Sequence, residues 1–475
     1  MVRSGCVLVF SSLIFIFVFL PVVILAYYIV PRSMRNLVFL LASLVFYAWG
    51  EPIYILIMLF STVFDYLNGL AIDKYRDHRY IAKIVLINSL IVNLGILGFF
   101  KYSDFVLNNI NLLFSLSIPL KNLPLPLGIS FYTFQTLSYT IDVYLDKVPV
   151  QRNIISFGTY VAMFPQLVAG PIVRYSQIAE ELDNRRENLY LFGEGAELFI
   201  VGLSKKVLLA NNIGLLWDSI KTTPLEQISI LSAWLGIIAF TFQIYFDFSG
   251  YSDMALGLGK MFGFNFAKNF NYPYTSKSIT EFWRRWHISL GAWFREYVYI
   301  PLGGNRKGKA KQYRNLIIVW FLTGLWHGAN WNFIFWGLYY GIIIMMEKMF
   351  LLDWLDKKPK VVRHIYTMIA VIIGWVLFEF ENLSAGLNFI KIMFGFGNST
   401  LIDNNAIYYL YTNGLLFVVL IFSSTPFPKK LFIKLKEKAK GLEDILIPVT
   451  YMLLVFLCTA YLVNETYNPF LYFRF

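Results

Sequence analysis

The chain has 475 residues, of which 57% are hydrophobic and only 15% charged, with a formal net charge of +12. Soluble domains usually carry about 25% charged residues, so the composition excludes an ordinary soluble protein. No long polar stretch interrupts the apolar sequence, which leaves no room for a separate soluble domain. We therefore expect one multi-pass membrane domain over residues 1–475.

Long apolar runs recur along the whole chain. The first run, residues 7–30, is long enough to cross roughly 30 Å of hydrocarbon. No signal-peptidase site follows it, because the positions that would hold small residues are Tyr27, Tyr28 and Pro31. We therefore expect this helix to be retained. Further runs lie at 36–48, 52–71, 84–100, 128–145, 154–170, 192–212, 228–246, 315–346, 363–380, 408–425 and 444–463. They predict an all-α, polytopic transmembrane fold with about eleven crossings.

The positive charge is concentrated in short loops between these runs. The main clusters lie at 31–35, 73–83, 305–314, 357–364 and 429–440. Loops rich in Lys and Arg face the cytoplasm, so we predict these loops inside and both chain ends outside. Contact with anionic lipid explains such charge, and the distribution gives no reason to expect nucleic acid as a partner.

Three segments of the middle of the chain place polar residues, Gly or Pro in apolar surroundings: 124–135, 164–175 and 242–253. Irregular backbone at membrane depth survives only where it is buried in protein or lines a wet cavity. These segments therefore predict broken or re-entrant helices around an internal chamber.

The chain has two cysteines and four histidines, which limits metal and disulfide chemistry. Cys6 and Cys458 lie near opposite ends and indicate no disulfide framework. The histidines do not follow the i, i+4 spacing of a helical metal site, so we predict no metal.

His327 stands in an apolar segment, directly after Trp326 and close to Asn330. It follows Asn315 by twelve residues, so a helix entering from the basic loop at 305–314 would carry it roughly 18 Å into the bilayer. An ionisable ring at that depth is costly and usually functional. Two interpretations stay open: a neutral histidine hydrogen-bonded between helices, or a general base.

The run that contains this histidine, 315–346, is too long for one perpendicular crossing. It fits either a tilted helix or a pair of helices broken near Gly324–Gly328. In both cases the ring would lie deep.

Residues 279–305 alternate aromatic and basic side chains and contain His287. One interpretation is an interfacial amphipathic helix with Trp283, Trp286 and Trp293 near the interface. The other is a donor site, because Arg matches phosphate geometry: Arg284, Arg285 and Arg295 would hold an anionic donor, with His287 at the same entrance.

Two carboxylates, Asp247 and Asp253, lie in the apolar stretch 246–264. Intramembrane carboxylates are usually paired or line a pathway, so these residues would pair with nearby arginines or position an acceptor. The GLGK at 257–260 lacks the rest of a P-loop and a preceding strand, which argues against nucleotide binding.

Three blocks, 242–274, 279–306 and 322–337, resemble the membrane-bound O-acyltransferase family. The similarity is strongest to its bacterial alginate O-acetylation branch, and the teichoic-acid D-alanyl transferases are more distant. Segments 126–144 and 164–175 and the terminal NPFLYFRF also fit the alginate-type proteins, so the resemblance covers nearly the whole chain.

The resemblance implies a ring of helices around a central funnel, with His327 as the catalytic histidine and His287 as the second family histidine. It implies no permanently bound cofactor but a cytoplasmic thioester co-substrate, either acetyl-CoA or an acyl carrier protein. The acyl group would cross a bacterial inner membrane to an extracytoplasmic SGNH-type acetyltransferase partner with a Ser/His/Asp site. The final acceptor would be a cell-surface polysaccharide such as alginate, cellulose or peptidoglycan.

Two other functional classes fit a buried polar cavity. A transporter or flippase for a glycan or lipid intermediate would need no thioester, and a structural scaffold would tolerate loss of the histidines. Within the transferases, acetyl and D-alanyl transfer both stay open, with the alginate-like ends favouring acetyl.

Overall fold

The computed structural model describes residues 8–168, 170–396, 400–438, 441–464 and 470–471. These residues form helices and connecting segments with no β-strand among them, which confirms the all-α prediction. Cys6 and most of the two chain ends, which we predict outside, lie beyond the described residues.

The chain forms two compact units, Met1–Phe199 with Tyr251–Ala267, and Ile200–Gly250 with Lys268–Phe475. The helices in chain order are α1 Leu20–Ile29, α2 Arg35–Gly50, α3 Ile55–Lys74, α4 Arg79–Phe114, α5 Ile129–Tyr144, α6 Ile154–Ala162, α7 Phe164–Leu167, α8 Tyr175–Asn184, α9 Leu189–Ser204, α10 Asn212–Lys221, α11 Ile230–Met261, α12 Ile279–Arg285, α13 Ile288–Phe294, α14 Lys309–His327, α15 Trp331–Met346, α16 Leu352–Asp356, α17 Lys360–Glu379, α18 Leu383–Met393, α19 Asn404–Ser423, α20 Phe427–Lys438 and α21 Glu443–Asn464. Short π-helical turns at Lys205–Asn211, Arg295–Tyr299 and Glu347–Leu351 extend α9, α13 and α15.

Nine helices of the described residues are long and apolar enough to cross a membrane. This confirms a multi-pass membrane protein, although nine is fewer than the eleven crossings expected from the sequence. Part of the difference lies in the run 154–170, which is divided into α6 and α7 at Met163, two residues before Pro165. A proline disfavours helix continuation upstream of it, so neither piece reaches the length of a crossing.

The prediction of broken helices in the middle of the chain is confirmed for two of the three segments. In 124–135 the backbone becomes helical only after Gly128, whose φ is +70°. In 164–175 the short α7 ends at Leu167 and the next helix begins at Tyr175.

The prediction of a break is wrong for 242–253, which lies inside the continuous helix α11. Gly250 in this segment allows two helices to pack closely and does not form a turn. A Cβ on Gly250 would lie 2.7 Å from the carbonyl oxygen of Gly202, so only a residue without a side chain lets the two backbones approach.

A buried carboxylate joins helices of the N-terminal unit. Asp65 on α3 accepts hydrogen bonds from the hydroxyl of Ser89 at 2.7 Å and from the amide of Asn93 at 2.9 Å, both on α4. A polar group in an apolar interior is costly unless it is hydrogen-bonded. These bonds therefore satisfy Asp65 and hold α3 against α4.

Helices α14 and α15 of the C-terminal unit form a tightly packed hairpin. A Cβ on Gly324 would lie 2.3 Å from the carbonyl oxygen of Phe333, and one on Gly337 would lie 2.3 Å from that of Trp320. The chain reverses after His327 because Gly328 is extended, with φ −170° and ψ 157°. The run 315–346 is thus a broken pair of helices and not a single tilted helix.

We expect Gly337→Ala to destabilise the protein by about 1–3 kcal/mol, because the new methyl group overpacks the hairpin against backbone that cannot move aside. Gly414→Ala on α19 is the matched control, since nothing lies within 4 Å of a Cβ there. Thermal unfolding of both variants in detergent tests this. A Gly337→Ala protein as stable as the control would contradict the close packing.

Candidate active site

His327 is the last residue of α14, and its side chain is buried, with 3% of its surface exposed. Its Nδ1 lies 2.7 Å from the carbonyl oxygen of Thr323, one helical turn earlier. A carbonyl oxygen can only accept a hydrogen bond, so Nδ1 carries the proton of the neutral ring. The lone pair is therefore on Nε2, which is the state that a general base requires.

Aromatic rings surround this imidazole. The ring centroids of Trp336, Trp326 and Phe378 lie 4.7, 5.1 and 5.7 Å from that of His327. Trp283 joins the same cluster through Trp336, at 5.5 Å. His327 is therefore enclosed by aromatic side chains and not by charged groups among these ring neighbours.

His287 is buried as well, with 2% of its surface exposed, and precedes α13. Its ring lies 4.8 Å from Phe248 and 6.0 Å from Trp326. Both histidines therefore contact the indole of Trp326. Burial lowers the pKa of His287 well below its ordinary value, and the neighbouring His327 lowers it further. His287 is thus part of a closed cluster and does not lie at an exposed entrance.

Residues 279–305 do not form one helix. The backbone of His287 is left-handed, with φ +45°, and separates α12 from α13. Trp286 and Trp293 are buried among protein side chains, so an interfacial helix is the wrong interpretation for them. A sequence pattern of aromatic and basic residues does not reveal such a turn, because residues other than glycine rarely adopt this conformation.

The three arginines of this segment have different environments. Arg285 is half-buried, forms an ion pair with Glu281 at 2.8 Å and donates a hydrogen bond to the carbonyl of Asn271 at 3.2 Å. Arg284 and Arg295 are exposed. Internal contacts therefore occupy Arg285, and Arg284 and Arg295 are the better placed to meet a ligand.

Comparison with known protein sequences identifies the family that contains these two histidines. The sequence model of the membrane-bound O-acyltransferase family matches residues 145–389, more than half of the chain, and this span contains both histidines. The chain belongs to the membrane-bound O-acyltransferase family. It is therefore an enzyme, an O-acyltransferase.

Relatives within this family have related activities. A "Probable alginate O-acetylase" of Pseudomonas putida is 39% identical over 98% of this chain and 100% of its own length. The "Peptidoglycan O-acetyltransferase" of Helicobacter pylori is 37% identical over 83% and 81%. A "Teichoic acid D-alanyltransferase" of Streptococcus thermophilus is 31% identical over 50% and 59%. These findings confirm the resemblance identified in the sequence.

The structure describes the surroundings of Asp247, Asp253 and Asn330 as follows. Asp247 pairs with Lys206 at 2.5 Å and accepts the backbone N–H of Leu471 at 2.9 Å, so its cationic partner is a lysine and not an arginine. Asp253 is half-buried and belongs to the N-terminal unit. Asn330 is half-buried at the start of α15, and its side chain makes no capping bond.

Sequence reasoning missed two residues that hold the elements of this candidate site in place. The buried carboxylate of Glu347 accepts the backbone N–H groups of Ile279 and Thr280 at 2.7 and 2.8 Å, which fixes the start of α12. Asn332 donates to the carbonyl of Phe378 at 3.0 Å. Glu347 had a usable signal, because a carboxylate at the end of an apolar run is rarely without a role.

We expect Asp247→Asn to destabilise the protein by about 3–5 kcal/mol, because it removes the carboxylate that forms a buried ion pair with Lys206. The matched control is Asp356→Asn, which removes an exposed ion pair with Arg363 in the same unit and should cost about 1 kcal/mol or less. Thermal unfolding in detergent measures both. Equal losses would show that the Lys206 pair is not buried as described.

Proposed function

We propose that this enzyme transfers an acetyl group from a cytoplasmic thioester toward hydroxyl groups of a cell-surface polysaccharide across a bacterial inner membrane. The alginate and peptidoglycan O-acetyltransferases among its relatives support the acyl group and the acceptor class. The observation that carries the chemistry is the hydrogen bond from His327 Nδ1 to Thr323, which leaves Nε2 as the base.

In the proposed step, Nε2 of His327 removes the proton of the acceptor hydroxyl as its oxygen attacks the thioester carbonyl carbon. The C–O bond forms, the C–S bond breaks, and the departing sulfur takes the proton back from the imidazolium. General acid–base catalysis of this kind contributes about 10²- to 10⁴-fold.

The donor is proposed to be acetyl-CoA or the thioester of an acyl carrier protein, since both carry phosphate groups. Arg284 and Arg295 are exposed cations on the segment that contains His287, and Arg binds phosphate through two parallel hydrogen bonds. The acyl group would then pass to the polysaccharide directly or through an extracytoplasmic partner acetyltransferase of the SGNH type.

We expect His327→Ala to lower acetyl transfer by at least about 10²-fold, because the base is lost while the fold remains. The measurement is release of free thiol by the purified protein with acetyl-CoA and a hydroxyl acceptor, together with protein level in the membrane. His78→Ala, at an exposed histidine, is the control and should be fully active.

Normal transfer by the His327→Ala protein would remove this histidine from the mechanism. A wild-type protein that releases no thiol from either acetyl-CoA or an acetylated carrier protein would instead favour the transporter alternative.

We expect Arg284→Ala and Arg295→Ala each to raise the KM for the donor about tenfold with little change in kcat, since one charged hydrogen-bonding partner contributes about 1.5 kcal/mol or more. Arg186→Ala, at an exposed arginine elsewhere, should leave KM unchanged. Steady-state kinetics with each donor tests this, and an unchanged KM in both variants would exclude these arginines from donor binding.

A further inference from the structure

We infer that Asn269 is a positioning residue that sets the proton arrangement and orientation of His287 for the proposed acyl transfer. The side chain of Asn269 is buried, with 1% of its surface exposed, and its Oδ1 lies 3.3 Å from Nδ1 of His287. The same oxygen accepts hydrogen bonds from the backbone N–H of Ser289 at 3.1 Å and from its hydroxyl at 2.9 Å. This inference rests on the proposed function and extends it to the second histidine.

The contact with Ser289 decides which way the amide of Asn269 points. A backbone N–H can only donate, so the atom facing it must be the amide oxygen. That oxygen can in turn only accept, so Nδ1 of the neutral His287 ring carries the proton. The lone pair of His287 is therefore on Nε2, as it is in His327, although the two rings obtain this tautomer from different partners.

Asn269 also holds the backbone that carries the ring. His287 has φ +45°, a left-handed conformation that costs a residue with a side chain about 1 kcal/mol or more. The carbonyl of Asn269 accepts the N–H of Ile288 at 3.0 Å, and the N–H of Asn271 donates to the carbonyl of Arg285 at 2.9 Å. These two bonds lie on either side of His287 and hold the turn in place. Such strain persists only where the surroundings enforce it, and it is typical of functional sites.

The neighbours of His287 make its charge sensitive to a change at position 269. Helix α11 contributes Phe248, α14 contributes Trp326 and His327, and the segment before α12 contributes Asn269. Among these groups His327 is the titratable one. A carboxylate at position 269 would lie against Nδ1 of the ring and would stabilise its protonated form.

The decisive variant is Asn269→Asp in the full-length protein. Its carboxylate keeps both acceptor bonds to Ser289, so the start of α13 is retained. Its charge raises the pKa of His287, so activity should be lost at a higher pH than in the wild type, with the acidic limb of the kcat profile displaced by about one pH unit or more. Asn405→Asp places the same charge on an exposed side chain of the same unit, on α19, and should leave the profile unchanged.

Asn269→Ala removes the acceptor altogether. We expect kcat to fall about 10- to 100-fold with the donor KM unchanged, which is a smaller loss than removal of the base itself. A residue that merely maintained the fold would lower the amount of active protein without displacing the pH profile of Asn269→Asp.

A readout that does not need catalysis separates failure of this inference from failure of the proposed function. The four histidines of the protein can be labelled with ¹⁵N, and His287→Gln identifies the signals of residue 287. We expect Nδ1–H in the wild type and a mixture of tautomers in Asn269→Ala. The inference is overturned if the tautomer is the same in both proteins, or if Asn269→Asp has the wild-type spectrum and pH profile. An inactive wild type with the expected spectra would overturn only the proposed acyl transfer.

Discussion

The hydrogen bond from His327 Nδ1 to the Thr323 carbonyl is the interaction on which the rest of the site depends. A buried imidazole must satisfy its N–H, and in an apolar helix the carbonyl four residues earlier is an available acceptor. Once that bond forms, the neutral ring has only one arrangement of its proton and lone pair. The backbone thus sets the tautomer of the ring that the proposed function uses as its base.

The hairpin of α14 and α15 determines where that base lies. Because glycine lets the two backbones touch at Gly324 and Gly337, the hairpin reverses tightly and leaves His327 at its tip. His287 also contacts the indole of Trp326, but other interactions hold it there. His287 lies on a strained turn whose backbone and side chain are both bonded to Asn269. One ring is therefore positioned by close packing and the other by hydrogen bonds.

The sequence predicts what depends on local composition. Apolar runs predict the helical membrane fold, and Gly328 after a deep histidine indicates the break in 315–346. The same kind of signal misleads in 242–253, because a glycine that permits close packing looks the same in the sequence as one that ends a helix. Contacts between residues distant in sequence also cannot be predicted from local patterns. The sequence around Asp247 does not indicate its ion pair with Lys206, 41 residues away. The tautomer of His287 and its left-handed turn likewise depend on Asn269, 18 residues earlier, whereas the tautomer of His327 is set within its own helix.

The indoles around His327 link the charge of this ring to tryptophan fluorescence. Tryptophan fluoresces, and a protonated imidazole in van der Waals contact with an excited indole quenches that emission by accepting an electron, whereas the neutral ring does so weakly. With Trp326 and Trp336 about one ring diameter away, the charge on His327 is coupled to the emission of the protein. Two of the twelve tryptophans of the chain therefore lie where their emission would respond to a change in the charge of this ring.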